Sequence, residues 1–320
     1  MVQGARGVVA PAEGRGRGQV PQGWPIVKTV AVVVTYGPDH RAGALIAALA
    51  RQCRVLVVDN GSAPDELAAL GSLTAAVGAE LIALGANTGI AHAQNVGIVR
   101  ARALGARYVL LSDQDSLPDA GLVATLEARL ESDQAIGAAG PHIAENKPGA
   151  DELVYVDRRW GPRRADAATL AATSVEAAFL LASGCLIPVR VLEEVGPMNE
   201  AYFIDHVDLE WCLRARKRGY RMVVDTAARL EHSLGDNTVQ LPGRAQPVHV
   251  HGPIRCYYLT RNTIFLLRSG LLPWRWRAGY LVWLAKYAAF HALLANDRRR
   301  RIAKLAAGLR DGLLGRGGAF

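Results

Sequence analysis

The segment Thr29-Val30-Ala31-Val32-Val33-Val34-Thr35-Tyr36 is an almost unbroken β-branched run, closed by Pro25 on one side and Gly37-Pro38 on the other. Such a run suits a strand buried on both faces, as in parallel sheets covered by helices. A second run, Val55-Leu56-Val57-Val58, ends in Asp59-Asn60-Gly61-Ser62, and the Ala- and Leu-rich stretch from Arg41 to Arg51 between them reads as a short helix. Strand, helix, strand is a βαβ unit, which implies a right-handed crossover and a parallel sheet. Glu80 to Leu84 reads as a third strand, Ala91 to Leu104 as a helix, and Tyr108-Val109-Leu110-Leu111 as a fourth strand entering Ser112-Asp113-Gln114-Asp115. Ligands of open α/β sheets lie beyond the carboxyl ends of the strands, so Asp59, Asn87 and the pair Asp113/Asp115 are expected to converge there.

At 320 residues, half of them hydrophobic, the chain has material for one α/β domain with an appendage. Its four cysteines, Cys53, Cys185, Cys212 and Cys256, form no CxxC pair, so free thiols in a reducing compartment are expected, with neither a zinc site nor a disulfide framework. The net charge of +8 is confined to the far end. Residues 271–320 hold ten Lys or Arg against Asp297 and Asp311, while the other 270 residues balance 27 against 27. A basic tail on a neutral body points to a local anionic partner. Residues 1–28, rich in Gly, Arg, Pro and Gln, read as a disordered segment without a signal peptide. The expected organisation is that segment, a catalytic domain over 29–268 and a basic aromatic helical tail over 269–320. No Gly-rich phosphate loop follows the first strand, which argues against a nucleotide triphosphatase, a nicotinamide dehydrogenase or a sugar nucleotidyltransferase.

In an extended Asp-x-Asp the two carboxylates point to one side, so Asp113 and Asp115 suit a shared hard cation, or a cation and a ribose. The same residues also suit a turn in which Asp115 or Ser116 caps the helix after Pro118. A second acidic cluster is Phe203-Ile204-Asp205-His206-Val207-Asp208-Leu209-Glu210-Trp211-Cys212-Leu213-Arg214. Read as a helix, it places Leu209, Cys212 and Leu213 on one face with Asp205 and Asp208 leading into it, and makes Glu210 and Arg214 a solvated i,i+4 pair; Asp208 is then the better candidate for a carboxylate facing a cleft, the alternative being a cap with Asp205 at the N-cap and Asp208 at N3. His232, after a strand at Arg221–Asp225 and a short loop, is a candidate metal ligand or, as a lone histidine more often is, a structural residue. Tyr257-Tyr258-Leu259-Thr260-Arg261-Asn262 opens an apolar helix in which Arg261 is a candidate phosphate clamp or a surface charge.

Together these segments resemble the inverting GT-A glycosyltransferases of the large family that includes cellulose and chondroitin synthases, and most of all its bacterial rhamnosyltransferase branch. The likeness spans roughly Val30 to Arg268. It rests on Val34-Thr35-Tyr36, Val57-Val58-Asp59-Asn60-Gly61-Ser62, Asn87 to Gly97, Asp113-Gln114-Asp115, Ser183-Gly184, Phe203 to Trp211, His232 and Tyr257 to Asn262 in that order. The resemblance implies a GT-A fold: a mostly parallel nucleotide-binding sheet flanked by helices, here with a helical basic appendage. It implies donor contacts from Thr35, Tyr36, Asp59, Asn60, Asn87, Gly89, Gln94, Asn95, Asp113, Gln114 and Arg261. Asp115, His232 and Asp113 would hold a divalent cation, Mg2+ or Mn2+, and Ser183, Gly184 and Trp211 would face the acceptor. Asp208 would be the general base. Many relatives carry two adjacent acidic residues where this chain has His206-Val207-Asp208, so Asp205 stands as the understudy.

The expected reaction is inverting transfer of a sugar, L-rhamnose from dTDP-rhamnose by resemblance, to a hydroxyl of a lipid-linked glycan in cell-surface polysaccharide synthesis. A galactofuranosyl- or hexosyltransferase using a UDP-sugar is the runner-up, and a non-catalytic sugar- or nucleic-acid-binding protein the rival of another class. Trp274, Trp276, Tyr280, Trp283 and Tyr287 alternate with Arg275, Arg277 and Lys286 ahead of Arg298-Arg299-Arg300-Arg301. That mixture suits an interfacial helix on an anionic cytoplasmic leaflet, with a peripheral location and no nucleic acid partner; a helix packed on the catalytic domain is the alternative.

Overall fold

The computed structural model describes residues 28–145, 153–232, 237–239 and 248–320, so the expectation for residues 1–27 lies outside the described residues. In chain order the first half comprises β1 (Thr29–Thr35), α1 (His40–Ala50), β2 (Arg54–Asp59), α2 (Pro64–Val77), β3 (Glu80–Ala83), α3 (Ile90–Ala103), β4 (Tyr108–Asp113), β5 (Ser116–Pro118), α4 (Leu122–Ser132) and β6 (Ile136–Glu145). Then come β7 (Tyr155–Val156), β8 (Arg163–Arg164), α5 (Ala167–Leu170), β9 (Ser174–Ala177), β10 (Cys185–Pro188), α6 (Val189–Val195), a 3-10 turn (Glu200–Tyr202) and α7 (Val207–Lys217). The chain continues through β11 (Arg221–His232), β12 (Asn237–Val239), β13 (Val248–Val250), α8 (Pro253–Arg268), α9 (Trp274–Leu293) and α10 (Arg298–Leu314).

The main sheet runs β3-β2-β1-β4-β10-β6-β11-β5, with β9 also on β11. Its first four strands are parallel, as the sequence predicts, and every residue of β1 is buried. Alternation along β1 divides the core. Val30, Val32 and Val34 face α3, α6 and α7, whereas Ala31 and Val33 face α1, α2 and α4. α3 presses so close to the sheet that a Cβ on Gly97 would meet Val32 Cγ1 at 2.2 Å. The far half is mixed: β10 runs antiparallel to β4, β11 runs parallel to β6, and β5 and β9 run antiparallel to β11. Where a strand and a loop were expected before His232, β11 is one long strand whose pairing with β6 shifts register between Asp225 and Arg229.

The tail expected as a single interfacial helix is two. Asn296 and Asp297, the latter at φ +56°, break it, and α10 folds back onto α8. The approach depends on small residues: a Cβ on Gly308 would lie 2.5 Å from Tyr257 O, and one on Gly312 2.8 Å from Ile264 Cβ. The basic run is divided accordingly. Arg298, Arg299 and Arg300 are exposed, while Arg301 is buried and donates to Asn296 O and to Cys256 Sγ. Among the described residues no helix is long and apolar enough to cross a membrane. All four cysteines are free thiols, and burial pushes those of Cys53 and Cys212 up to about 12.

Candidate active site

Three parallel strands deliver their last residues to one edge. Thr35 pairs in register with Asp59, and Val34 with Asp113, so the ends of β1, β2 and β4 lie side by side. The loops there are braced by their own polar side chains. Asp59 accepts from Thr35 Oγ1 (3.1 Å), Gly61 N (3.1 Å), Ser62 N (2.9 Å) and the Ser62 hydroxyl. Asn60 accepts from Thr88 N at 2.9 Å and donates to Asn87 Oδ1 at 3.1 Å, tying the loop after β2 to the loop before α3. Gln114 forms a two-way bridge to the backbone of Tyr36, accepting from its N–H at 2.8 Å and donating to its carbonyl at 3.2 Å. This leaves the Tyr36 ring standing free of the edge, 55% exposed.

On the neighbouring strand, Asp113 accepts from the Ser183 hydroxyl at 2.7 Å. The following Gly184, at φ +79°, is packed against Pro141, where a Cβ would come within 2.8 Å of Pro141 Cγ. Its role is therefore close chain packing, not an opening for an acceptor. Asp115 is the other half of the acidic pair, and the charge of Asp115 reaches Arg41 in the first turn of α1. Among the described residues no group of three or more His, Cys, Asp and Glu side chains forms a ready-made metal site. His232 pairs with Ser116 through its strand, and its side chain lies outside the described residues.

The second acidic cluster enters as a distorted loop. Phe203, Asp205 and His206 all have left-handed φ angles of 61°, 66° and 62°, a conformation that costs non-glycine residues energy and persists only where surroundings enforce it. The enforcement comes from α8. Asn262 Nδ2 donates to the carbonyls of Tyr202 (2.9 Å), Ile204 (2.7 Å) and Asp205 (2.9 Å). Arg261 Nη2 donates to Ala201 O (3.0 Å) and Tyr202 O (2.9 Å), and its Nη1 to Gly318 O. Arg255 holds the Asp205 carboxylate through Nε at 2.8 Å, and His206 Nε2 meets Thr263 Oγ1 at 3.1 Å. Burial drops the His206 imidazole to about 4, so it is neutral at physiological pH. The loop thus launches α7 with Asp208 in its first turn. Burial, aided by the charges of Asp113 and Asp205, pushes the Asp208 carboxyl up to about 7, against the pull of the hydrogen bond from Leu209 N.

One edge therefore combines braced loops, an Asp-x-Asp pair and a carboxyl raised to about 7. The Glycosyl transferase family 2 pattern matches residues 30–196. The chain belongs to that family. It is 34% identical over 248 residues to a dTDP-rhamnosyl transferase, RfbF, of Shigella flexneri, a match covering 76% of this chain and 81% of the relative. Its fold is similar to that of S. aureus TarS, at 14% identity and a TM-score of 0.56 over 90% of this chain; the match spans 49% of the TarS chain, about half its length. It is also similar to the mannosyltransferase PcManGT from Pyrobaculum calidifontis, solved with GDP-Man and Mn2+, at 17% identity and a TM-score of 0.52 over 90% of this chain and 75% of that one. The architecture is the GT-A fold.

Within this glycosyltransferase several expected residues lie elsewhere than the sequence suggests. Arg261 is fully buried between the rings of Tyr257, Tyr258 and Phe265, its donors spent on protein carbonyls, so it clamps the acid loop and not a phosphate. Trp211 is 1% exposed and donates to Gly196 O, which makes it core and not an acceptor contact. Asn95 is occupied with Met198 and Glu200, pinning α3 to the 3-10 turn; Gln94 is buried in the same helix. Gly89, at φ +90°, lets α3 begin against Phe203, whose carbonyl accepts from Ile90 N at 2.7 Å. The Asp205 carboxylate is already engaged by Arg255, which leaves Asp208 as the better-placed carboxyl. The Glu210–Arg214 pair is not solvated: Glu210 is buried, and Arg214 also donates to Val195 O and Pro197 O. Ser62 and Thr88 lie inside the quoted motifs without being assigned a role there, and Arg41 and Arg255 lie outside the motifs. A signal for Ser62 is present, since a hydroxyl three residues after a strand-ending Asp is a turn signature; Arg255 carries none.

Proposed function

We propose that this glycosyltransferase moves L-rhamnose from dTDP-rhamnose, with inversion at the anomeric carbon, to a hydroxyl of a glycan acceptor. The observation that carries the donor is the 34% identity to RfbF across most of both chains. The nucleoside would lie on the braced loops of Thr35, Tyr36, Asp59, Asn60 and Asn87, with the diphosphate toward Asp113 and Asp115. The hard carboxylate oxygens of Asp113, which ends β4, and of Asp115, in the turn that follows, would hold a Mg2+ or Mn2+ ion, and the PcManGT neighbour was solved with Mn2+. When bound, such an ion neutralises charge on the diphosphate leaving group. Asp208 accepts the proton of the attacking hydroxyl, a contribution of roughly a hundred- to ten-thousand-fold, and a carboxyl raised to about 7 suits a base working near neutral pH. Ser183 orients Asp113, while α8 holds the acid loop that presents Asp208.

The test is a panel of dTDP-, UDP- and GDP-sugars with Mg2+, read first by thermal stabilisation and then by transfer. Stabilisation by dTDP-rhamnose above all others is the expected result. Preference for UDP-galactofuranose or a UDP-hexose would replace rhamnose with the runner-up, and no stabilisation by any nucleotide sugar would favour a non-catalytic binding protein. Asp115→Asn should abolish cation-dependent turnover without changing the melting temperature of the free protein.

We also infer a peripheral membrane position, with the catalytic domain over 29–268 and the segment over 269–320 facing lipid. Trp274, Leu281, Val282, Leu293 and Leu294 are exposed on α9 and just past its end, beside exposed Arg275, Arg277, Lys286 and Arg298 to Arg300. Apolar residues rimmed by cations suit an anionic head-group layer. Leu281→Glu with Val282→Glu should lose partitioning onto phosphatidylserine-containing vesicles; retained partitioning would remove α9 as the anchor.

A further inference from the structure

Helix α9 carries five of its seven rings on one stripe. Trp276, Tyr280, Trp283, Tyr287 and His291 recur at steps of four, three, four and four, which places them along one helix face. Ring centroids are 6.4 Å apart from Tyr280 to Trp283, 5.1 Å from Trp283 to Tyr287 and 4.3 Å from Tyr287 to His291. The start of the stripe is fixed to the body of the domain. Trp276 Nε1 donates to Arg158 O at 3.0 Å, and Gly279 approaches Trp160 so closely that a Cβ would fall 1.8 Å from its carbonyl oxygen. The end is fixed as well, with Tyr287 bonded to Cys256 and His291 to Arg301.

Between these anchors the stripe meets the acid loop. The His206 ring lies 6.2 Å from Tyr280 and 6.3 Å from Trp283, and Asp208 is two residues on. Here the rings are not sealed: Tyr280 is half-buried and Trp283 is 38% exposed. A second pair of partly open rings, Tyr155 stacked on Phe179 at 4.9 Å, belongs to the same place. The phenols of Tyr280 and Tyr155 are both pushed up, first by burial and then by the negative charge of Asp208, so that carboxylate is within electrostatic reach of each.

We propose that Tyr280 and Trp283 of α9, with Tyr155, form the acceptor subsite, where the apolar face of the acceptor's sugar ring stacks while its hydroxyl is presented to Asp208. The proposal rests on Asp208 as the base. A glycosyltransferase must grip an acceptor, and Trp211 and Gly184 are committed to packing. Pyranose rings present patches of C–H to an aromatic face, and aromatic rings left half-open beside polar groups are the usual lining of such sites. Rings serving only to pack α9 would be covered like Trp276, which is 4% exposed.

The experiment uses the full chain, the nucleotide sugar selected by the donor panel, and as acceptor a membrane extract from source cells lacking this protein. Trp283→Ala should raise the acceptor KM about tenfold, the order expected for one aromatic contact, with the donor KM and the hydrolysis of donor by water unchanged. Trp283→Phe should recover most of that loss. An unaltered acceptor KM in Trp283→Ala, or an equal rise in the donor KM, would overturn the subsite. Where Trp283→Ala fails to fold, Tyr280→Leu gives the same comparison. Full activity in Asp208→Asn would sink the base assignment, a failure that shows in kcat and is distinguished from failure of the subsite, which shows in the acceptor KM of the ring variants.

Discussion

Asp208 has opposite consequences for rate and for stability. As the proposed base it works only when deprotonated, so transfer should rise with pH through about 7 and fall away below it. Asp205→Asn, which removes a neighbouring negative charge, should move that limb to lower pH in a pH–rate profile. For folding the sign reverses. The folded carboxyl binds its proton more tightly than the unfolded one at 3.8, so its contribution favours the folded state at low pH and is lost as pH rises through about 7. Asp208→Asn should therefore raise the melting temperature at pH 8, measured with chelator present, and the gain should shrink as pH falls toward 4. The acidic residues themselves are legible in the sequence because carboxylates follow strand ends. Their partners are not: that Arg255 engages Asp205, or that Asp59 spends its oxygens on Thr35, Gly61 and Ser62, depends on contacts between segments that no local pattern brings together.

Among the elements, α8 is a splint for the acid loop. Asn262→Ala removes the donor to three carbonyls beneath residues at positive φ, and the loop should relax. The expected signature is a fall in kcat of at least about tenfold with little change in donor KM, because misplacing a base costs the transition state and not ground-state binding. α3 gives a different kind of prediction. Gly97→Val would drive a side chain into Val32 and should destabilise by about 1–3 kcal/mol in denaturant unfolding. β1 and β2 can be read from sequence because buried parallel strands are written as continuous runs rich in β-branched residues. The antiparallel insertion of β10 between β4 and β6 cannot, since its four residues, Cys185–Pro188, carry no pattern that names a partner. The packed side of α9 is equally hidden, because aromatic and aliphatic residues occupy both of its faces and erase the contrast that marks an inward one.

At the scale of the molecule, the basic end of the chain is less an appendage than its charge suggests. Arg301 and Asp311 of α10 are buried, the latter accepting from Tyr257 at 3.0 Å, so the last helix shares its interior with the helix that steadies Asp208. Deleting residues 298–320 should therefore lower both the melting temperature and turnover, whereas neutralising the exposed Arg298, Arg299 and Arg300 should leave both unchanged. The grip of Arg261 on Gly318, 57 residues downstream, also bears on the order of synthesis. On the ribosome the nucleotide-binding strands emerge first, the loop of Asp208 later, and the carbonyl that completes its clamp last of all. The clamp on the Asp208 loop is therefore complete only after the far helices have been made, later than the strands that bear Asp59 and Asp113.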